Sequence, residues 1–146
     1  MILITSAGGK TGKAMIEAFA RSGEDVRAMM RRTDRDDELT ALGAAEIFHG
    51  DLSNPADIAR AAEGCRAIYY ICPNMIATEK DIGDNVIAAA KAANVDRLVF
   101  HSVLHTQVQA LQHHWNRLFV EEAIIESGVS YSILQVGSYY QNMLPG

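Results

Sequence analysis

Six short apolar runs, each followed by a stretch with helical spacing or by the chain end, constrain this sequence more than any other feature. The runs are Ile2 to Thr5, Val26 to Met30, Ala45 to Phe48, Ala67 to Ile71, Leu98 to Phe100 and Tyr131 to Val136. They are too short for buried helices, and their apolar character fits strands covered on both faces. The first helical stretch runs to about Ser22, with Met15, Ala18, Phe19 and Ser22 on one face and Gly23 as its stop. A short helix over Asp37 to Leu42 ends at Gly43. Asn54 and Pro55 open a third helix, with Gly64 past its end. Asp81 to Ala93 is an alanine-rich helix. In the last helix Leu111, Trp115, Leu118, Phe119 and Ile125 mark one face, and Gly128 closes it. This alternation predicts an α/β fold, with a mainly parallel six-stranded sheet and helices on both faces. At 146 residues and 49% hydrophobic content, with no linker or repeat, residues 1–146 read as a single domain.

Composition removes several functional classes. The net charge of −5 argues against nucleic acid as a partner. No apolar run approaches the roughly 20 residues of a membrane span. The start, Met1 to Thr5, lacks the charged region of a signal peptide. Cys65 and Cys72 make neither a disulfide framework nor a zinc site; they flank a buried strand and read as small apolar residues. A cytoplasmic location is the expectation.

The first strand runs into Thr5-Ser6-Ala7-Gly8-Gly9-Lys10-Thr11-Gly12-Lys13. Glycines at a strand-to-helix junction let the backbone approach a phosphate, and the helix then points free N–H groups at it. A P-loop fails on spacing: Gly9-Lys10-Thr11 supplies its end, but the first glycine would fall at Ile4, inside the strand. Gly9-x-x-Gly12 fits the second half of a dinucleotide fingerprint.

Thr5 to Gly12 resembles the TGATGKTG turn of atypical short-chain dehydrogenase/reductases, in particular the NmrA-like group. The resemblance extends through Val26 to Arg31, Gly50-Asp51-Leu52, Arg97 to Ser102, Val120-Glu121-Glu122 and Tyr131 to Gln135, over essentially the whole chain. It implies a Rossmann-type, doubly wound NAD(P)-binding domain. Ser6 stands at the group's first glycine, and Gly8 where threonine is common. The resemblance assigns Ser6, Ala7, Gly9, Lys10, Thr11 and Gly12 to the cofactor turn. It places Asp51 and Leu52 beside the adenine, and Pro73 and Asn74 near the ribose and nicotinamide. The second strand ends Met29-Met30-Arg31-Arg32, without the carboxylate that takes a ribose 2′-hydroxyl. Arg31 offers a fork to a 2′-phosphate, which predicts NADP(H) over NAD(H); the alternative is a solvated run in which Arg31, Arg32 and Arg35 balance Asp34, Asp36 and Asp37.

Typical short-chain reductases carry Tyr-x-x-x-Lys, where this chain has His113-x-x-x-Arg117. His113 is a candidate proton donor and Arg117 a candidate phosphate or ribose ligand; the alternative makes both ordinary surface residues of a helix. Ser102 is a candidate to polarise a carbonyl, or else a turn cap. Tyr69, Tyr70, Tyr139 and Tyr140 are not at the motif spacing. His101, His105, His113 and His114 lack metal-ligand spacing, and no metal is expected. The group's full-length members have a second part that forms much of the substrate pocket, and this chain reads as the cofactor part. Tyr139, Tyr140, Met143 and Leu144 are then expected to be exposed and to favour a homodimer. Two functions follow: an NADP(H)-dependent reductase of a quinone or other carbonyl compound, or a non-catalytic redox sensor that signals to a protein partner.

Overall fold

The computed structural model describes residues 1–73 and 76–142. The strands are β1 (Ile2–Ile4), β2 (Val26–Met30), β3 (Glu46–His49), β4 (Ala67–Tyr70), β5 (Arg97–Val103) and β6 (Tyr131–Val136). The helices are α1 (Lys10–Arg21), α2 (Asp36–Ala41), α3 (Pro55–Ala62), α4 (Glu79–Ala92) and α5 (Gln112–Glu126). The strands form one sheet in the order β3-β2-β1-β4-β5-β6, and every pairing is parallel. This is the Rossmann-type order, with its reversal between β1 and β4.

Alternation along each strand divides the core into two layers. Leu3, Met29, Ile68, Tyr70, Leu98 and Phe100 face α3, α4 and α5 through Ile58, Val86, Val120 and Ile124. Ile2, Ile4, Val26, Ala28 and Tyr69 face α1 and α2 through Ile16 and Leu39. Both cysteines are buried and free. At the end of α5 the turn needs φ of +77°, which Gly128 adopts without the Cβ clash of other residues.

Two helix faces differ from the sequence expectation. In α1 the buried positions are Gly12 and Ile16, flanked by half-buried Met15 and Phe19; Ala18 and Ser22 are exposed. In α5 the inner face carries Arg117, Val120, Glu121 and Ile124, while Leu111, Phe119 and Ile125 are exposed. Two charged residues face inward because each finds partners there, as described below. Of the residues expected on an exposed apolar surface, Tyr140 is exposed, Tyr139 is half-buried, and Met143 and Leu144 lie outside the described residues.

Candidate cofactor and active site

The sheet opens where β1 ends. Thr5 N–H bonds the Tyr69 carbonyl of β4 at 3.2 Å, whereas Ala7 N–H bonds the Met29 carbonyl of β2 at 3.0 Å. The Thr5 hydroxyl ties the β4 side further, donating to the Ile71 carbonyl at 2.9 Å and accepting from its N–H at 2.8 Å. A crevice at the carboxyl ends of the strands, at the point where strand order reverses, is where such sheets bind ligands.

The turn between β1 and α1 sits in that crevice. Ser6 adopts φ of +49°, the left-handed region that glycine at this position would enter freely; for serine it costs about 1 kcal/mol. Its buried Oγ has no hydrogen-bond partner among the described residues. A Cβ at Gly12 would lie 2.6 Å from the Ala7 backbone, so the first turn of α1 packs directly on the strand end. Among the described residues no side chain caps α1, and its first turn holds no acidic residue. Its leading N–H groups and positive dipole end are therefore available to an anion. The orphaned Ser6 hydroxyl, the close-packed Gly12 and the open helix end all fit a dinucleotide pyrophosphate.

Two clefts flank the turn and share Ser6, Gly9 and Pro73. The first lies over β2 and β3, lined by Gly8, Met30, Arg31, Arg35, Asp51, Leu52 and Ile82 among others. Here Arg31 lies 3.5 Å from Asp51, and Arg35 donates to the Gly8 carbonyl at 3.0 Å. Asp51 is held below the usual carboxylate range by the backbone N–H and hydroxyl of Ser53. Arg35, which the sequence reading named only as part of a solvated run, bridges the glycine turn to α2 and lines this cleft with Arg31.

The second cleft lies over β4, β5 and β6, lined by Lys10, Thr11, Gly12, Cys72, His101, His113, Arg117 and Tyr139 among others. Arg117 is buried at its base, so the reading of it as a surface residue of the helix is overturned. Its Nε lies 3.1 Å from Oε1 of the equally buried Glu79, and its NH1 donates to the His101 carbonyl at 2.6 Å. Burial raises the Glu79 pKa against the opposing pull of Arg117, and pushes the Cys72 thiol up to about 12. His113 lies at the cleft edge against His114; partial burial, His114 and Arg117 lower its pKa.

The remaining sequence candidates divide. Ala7 is buried beneath the turn and lines neither cleft. Asn74 lies outside the described residues. Ser102 is turned to the α5 side of the sheet, where its hydroxyl donates to Glu121; that carboxylate also accepts from Thr106 at 3.3 Å and from Gln135 at 3.0 Å. Ser102 thus locks β5 and β6 to α5 and does not enter a cleft. Its neighbour His101, one residue earlier on the strand, points the opposite way and does. His101 Nδ1 lies 2.9 Å from the Tyr69 hydroxyl, and Nε2 lies 2.5 Å from the Tyr139 hydroxyl. Thr11 donates to the same Tyr139 oxygen at 3.3 Å. Spacing could not reveal this group, because Tyr69, His101 and Tyr139 come from three different strand ends.

Comparison with known proteins identifies the family and the fold. A family profile described as NAD(P)H-binding matches residues 6–143. Quinone oxidoreductase 2 of Escherichia coli is 28% identical over 146 residues, covering 99% of this chain and 51% of that protein. An NAD(P)H azoreductase of Xenophilus azovorans is 26% identical over 149 residues, covering 99% and 50%. The crystal structure of the Escherichia coli NADPH-dependent quinone oxidoreductase with NADPH superposes with a TM-score of 0.83 at 26% identity, over 97% of this chain and 50% of that one. The chain spans about half the length of these relatives. Among the described residues no helix is long and apolar enough to cross a membrane. Fold, glycine turn and profile agree: the chain belongs to the NAD(P)H-binding family, as a Rossmann-type domain related to the NmrA-like atypical short-chain dehydrogenase/reductases.

Proposed function

We propose that this chain is the NADP(H)-binding part of a reductase that acts on a quinone or another carbonyl compound. The observation that carries the reading is the uncapped N-terminus of α1 at the sheet's reversal point, with one cleft on either side of it. When bound, the reduced dinucleotide supplies a hydride. The turn and the open end of α1 hold the pyrophosphate. Arg31 and Arg35 supply positive charge to a 2′-phosphate in the first cleft, and β2 ends without a carboxylate to favour a free hydroxyl. In the second cleft the buried Arg117, paired with Glu79 and bound to the His101 carbonyl, anchors the wall from which His101 and Tyr139 face the cleft.

The similarity to a quinone oxidoreductase and an azoreductase supports a reductive role. The test mixes the intact protein with NADPH and a benzoquinone and follows the nucleotide's absorbance. Protein-dependent, stoichiometric oxidation of NADPH is the expected result. Saturable NADPH binding with oxidation no faster than in the protein-free mixture would remove the reductase reading and leave a binding role.

A further inference from the structure

We propose that Tyr139 is the proton donor of this site, with His101 and Tyr69 positioning it, in place of the missing Tyr-x-x-x-Lys pair. The assignment rests on the reductase reading above. A phenol oxygen has two lone pairs and one proton. The Thr11 hydroxyl donates to the Tyr139 oxygen at 3.3 Å, and His101 Nε2 lies 2.5 Å from it. If Nε2 carries the imidazole hydrogen, both lone pairs are engaged and the Tyr139 proton is left to point into the cleft. The Tyr69 hydroxyl lies 2.9 Å from the ring's other nitrogen, Nδ1, and this buried phenol has no other hydrogen-bond partner among the described residues; its own proton is satisfied only by donating to Nδ1, which leaves the imidazole hydrogen on Nε2. The imidazole is itself held in place, since Arg117 grips the His101 carbonyl. Tyr69 and His101 are buried, whereas Tyr139 is half-buried and lines the cleft.

The step balances. The substrate gains two electrons and a hydrogen as hydride from NADPH, which leaves as NADP⁺. The Tyr139 O–H bond breaks, and its proton completes the hydroquinone or alcohol. The resulting tyrosinate keeps the hydrogen bonds from Thr11 and His101 Nε2, and water returns the proton after product leaves. In sum, substrate, NADPH and one proton give reduced substrate and NADP⁺.

Kinetics and nitrogen NMR on the intact protein test this together. Tyr139→Phe is expected to lower kcat by about 100-fold or more, as loss of a general acid does, with the KM for NADPH little changed. His101→Gln, which keeps an N–H donor, is expected to retain more activity than His101→Leu. The ¹⁵N shifts of His101 are expected to show Nε2 protonated and Nδ1 as an acceptor, and Tyr69→Phe to shift that balance. Wild-type kcat in Tyr139→Phe, or an unprotonated Nε2 at neutral pH, would overturn the donor role while leaving the reductase reading intact. A protein that binds NADPH but reduces neither quinones nor carbonyls would overturn both.

Discussion

His101, Glu79 and Arg117 show how single residues set the chemistry of the second cleft. Burial, and then the Arg117 charge, lower the His101 pKa below its ordinary 6.5. A depressed histidine pKa adds stability that is complete above the unfolded value and is lost as pH falls through the folded one. The urea midpoint should therefore drop between about pH 7.5 and 5.5, and drop less in His101→Asn. His113 shifts in the same direction, so a smaller slope should persist in that variant. An unchanged slope would remove His101 as the cause. Arg117→Leu leaves Glu79 buried without its countercharge, and should destabilise the fold by about 3–5 kcal/mol in urea titration. The sequence placed Arg117 at the motif lysine's position but could not show its burial. Its partner Glu79 lies 38 positions earlier, on another helix. Ser102 was misplaced for a related reason: which of two neighbouring strand residues faces the cleft depends on the sheet, not on the serine.

Helix packing carries these residues to the site. Gly83 of α4 lets α5 approach so closely that a Cβ there would meet Val120 Cγ1 at 2.9 Å. Val120 is three residues from Arg117 on the same helix, so this contact helps set the depth of the guanidinium. Gly83→Leu should cost about 1–3 kcal/mol by overpacking, and should also weaken turnover by lifting Arg117; chemical denaturation and quinone reduction measured on one preparation would check both. Unaltered stability would mean that α5 has slack at this contact. The elements themselves were legible, because strand runs and glycine stops act locally. The inner face of α5 was not. Arg117 and Glu121 occupy it, so the apolar residues that look like a core stripe, Leu111, Phe119 and Ile125, fall on the outside. A helix whose buried face is partly ionic hides its orientation from periodicity.

At the scale of the whole molecule, the reversal between β1 and β4 fixes where the cofactor turn sits and divides the crevice into two clefts. The turn and the fold were legible because glycine spacing and strand–helix alternation are short-range signals. The Tyr69–His101–Tyr139 group was not, because only the strand order brings three distant strand ends together. NADP(H) is the ligand proposed for this crevice, with Arg31 helping to favour it over NAD(H). The most direct measurement is calorimetric titration of the protein with NADPH and with NADH, repeated on Arg31→Ala. One saturable NADPH site, weaker NADH binding, and a variant in which the difference narrows through loss of NADPH affinity alone are expected. Equal affinity for both nucleotides, or no binding of either, would contradict that proposal.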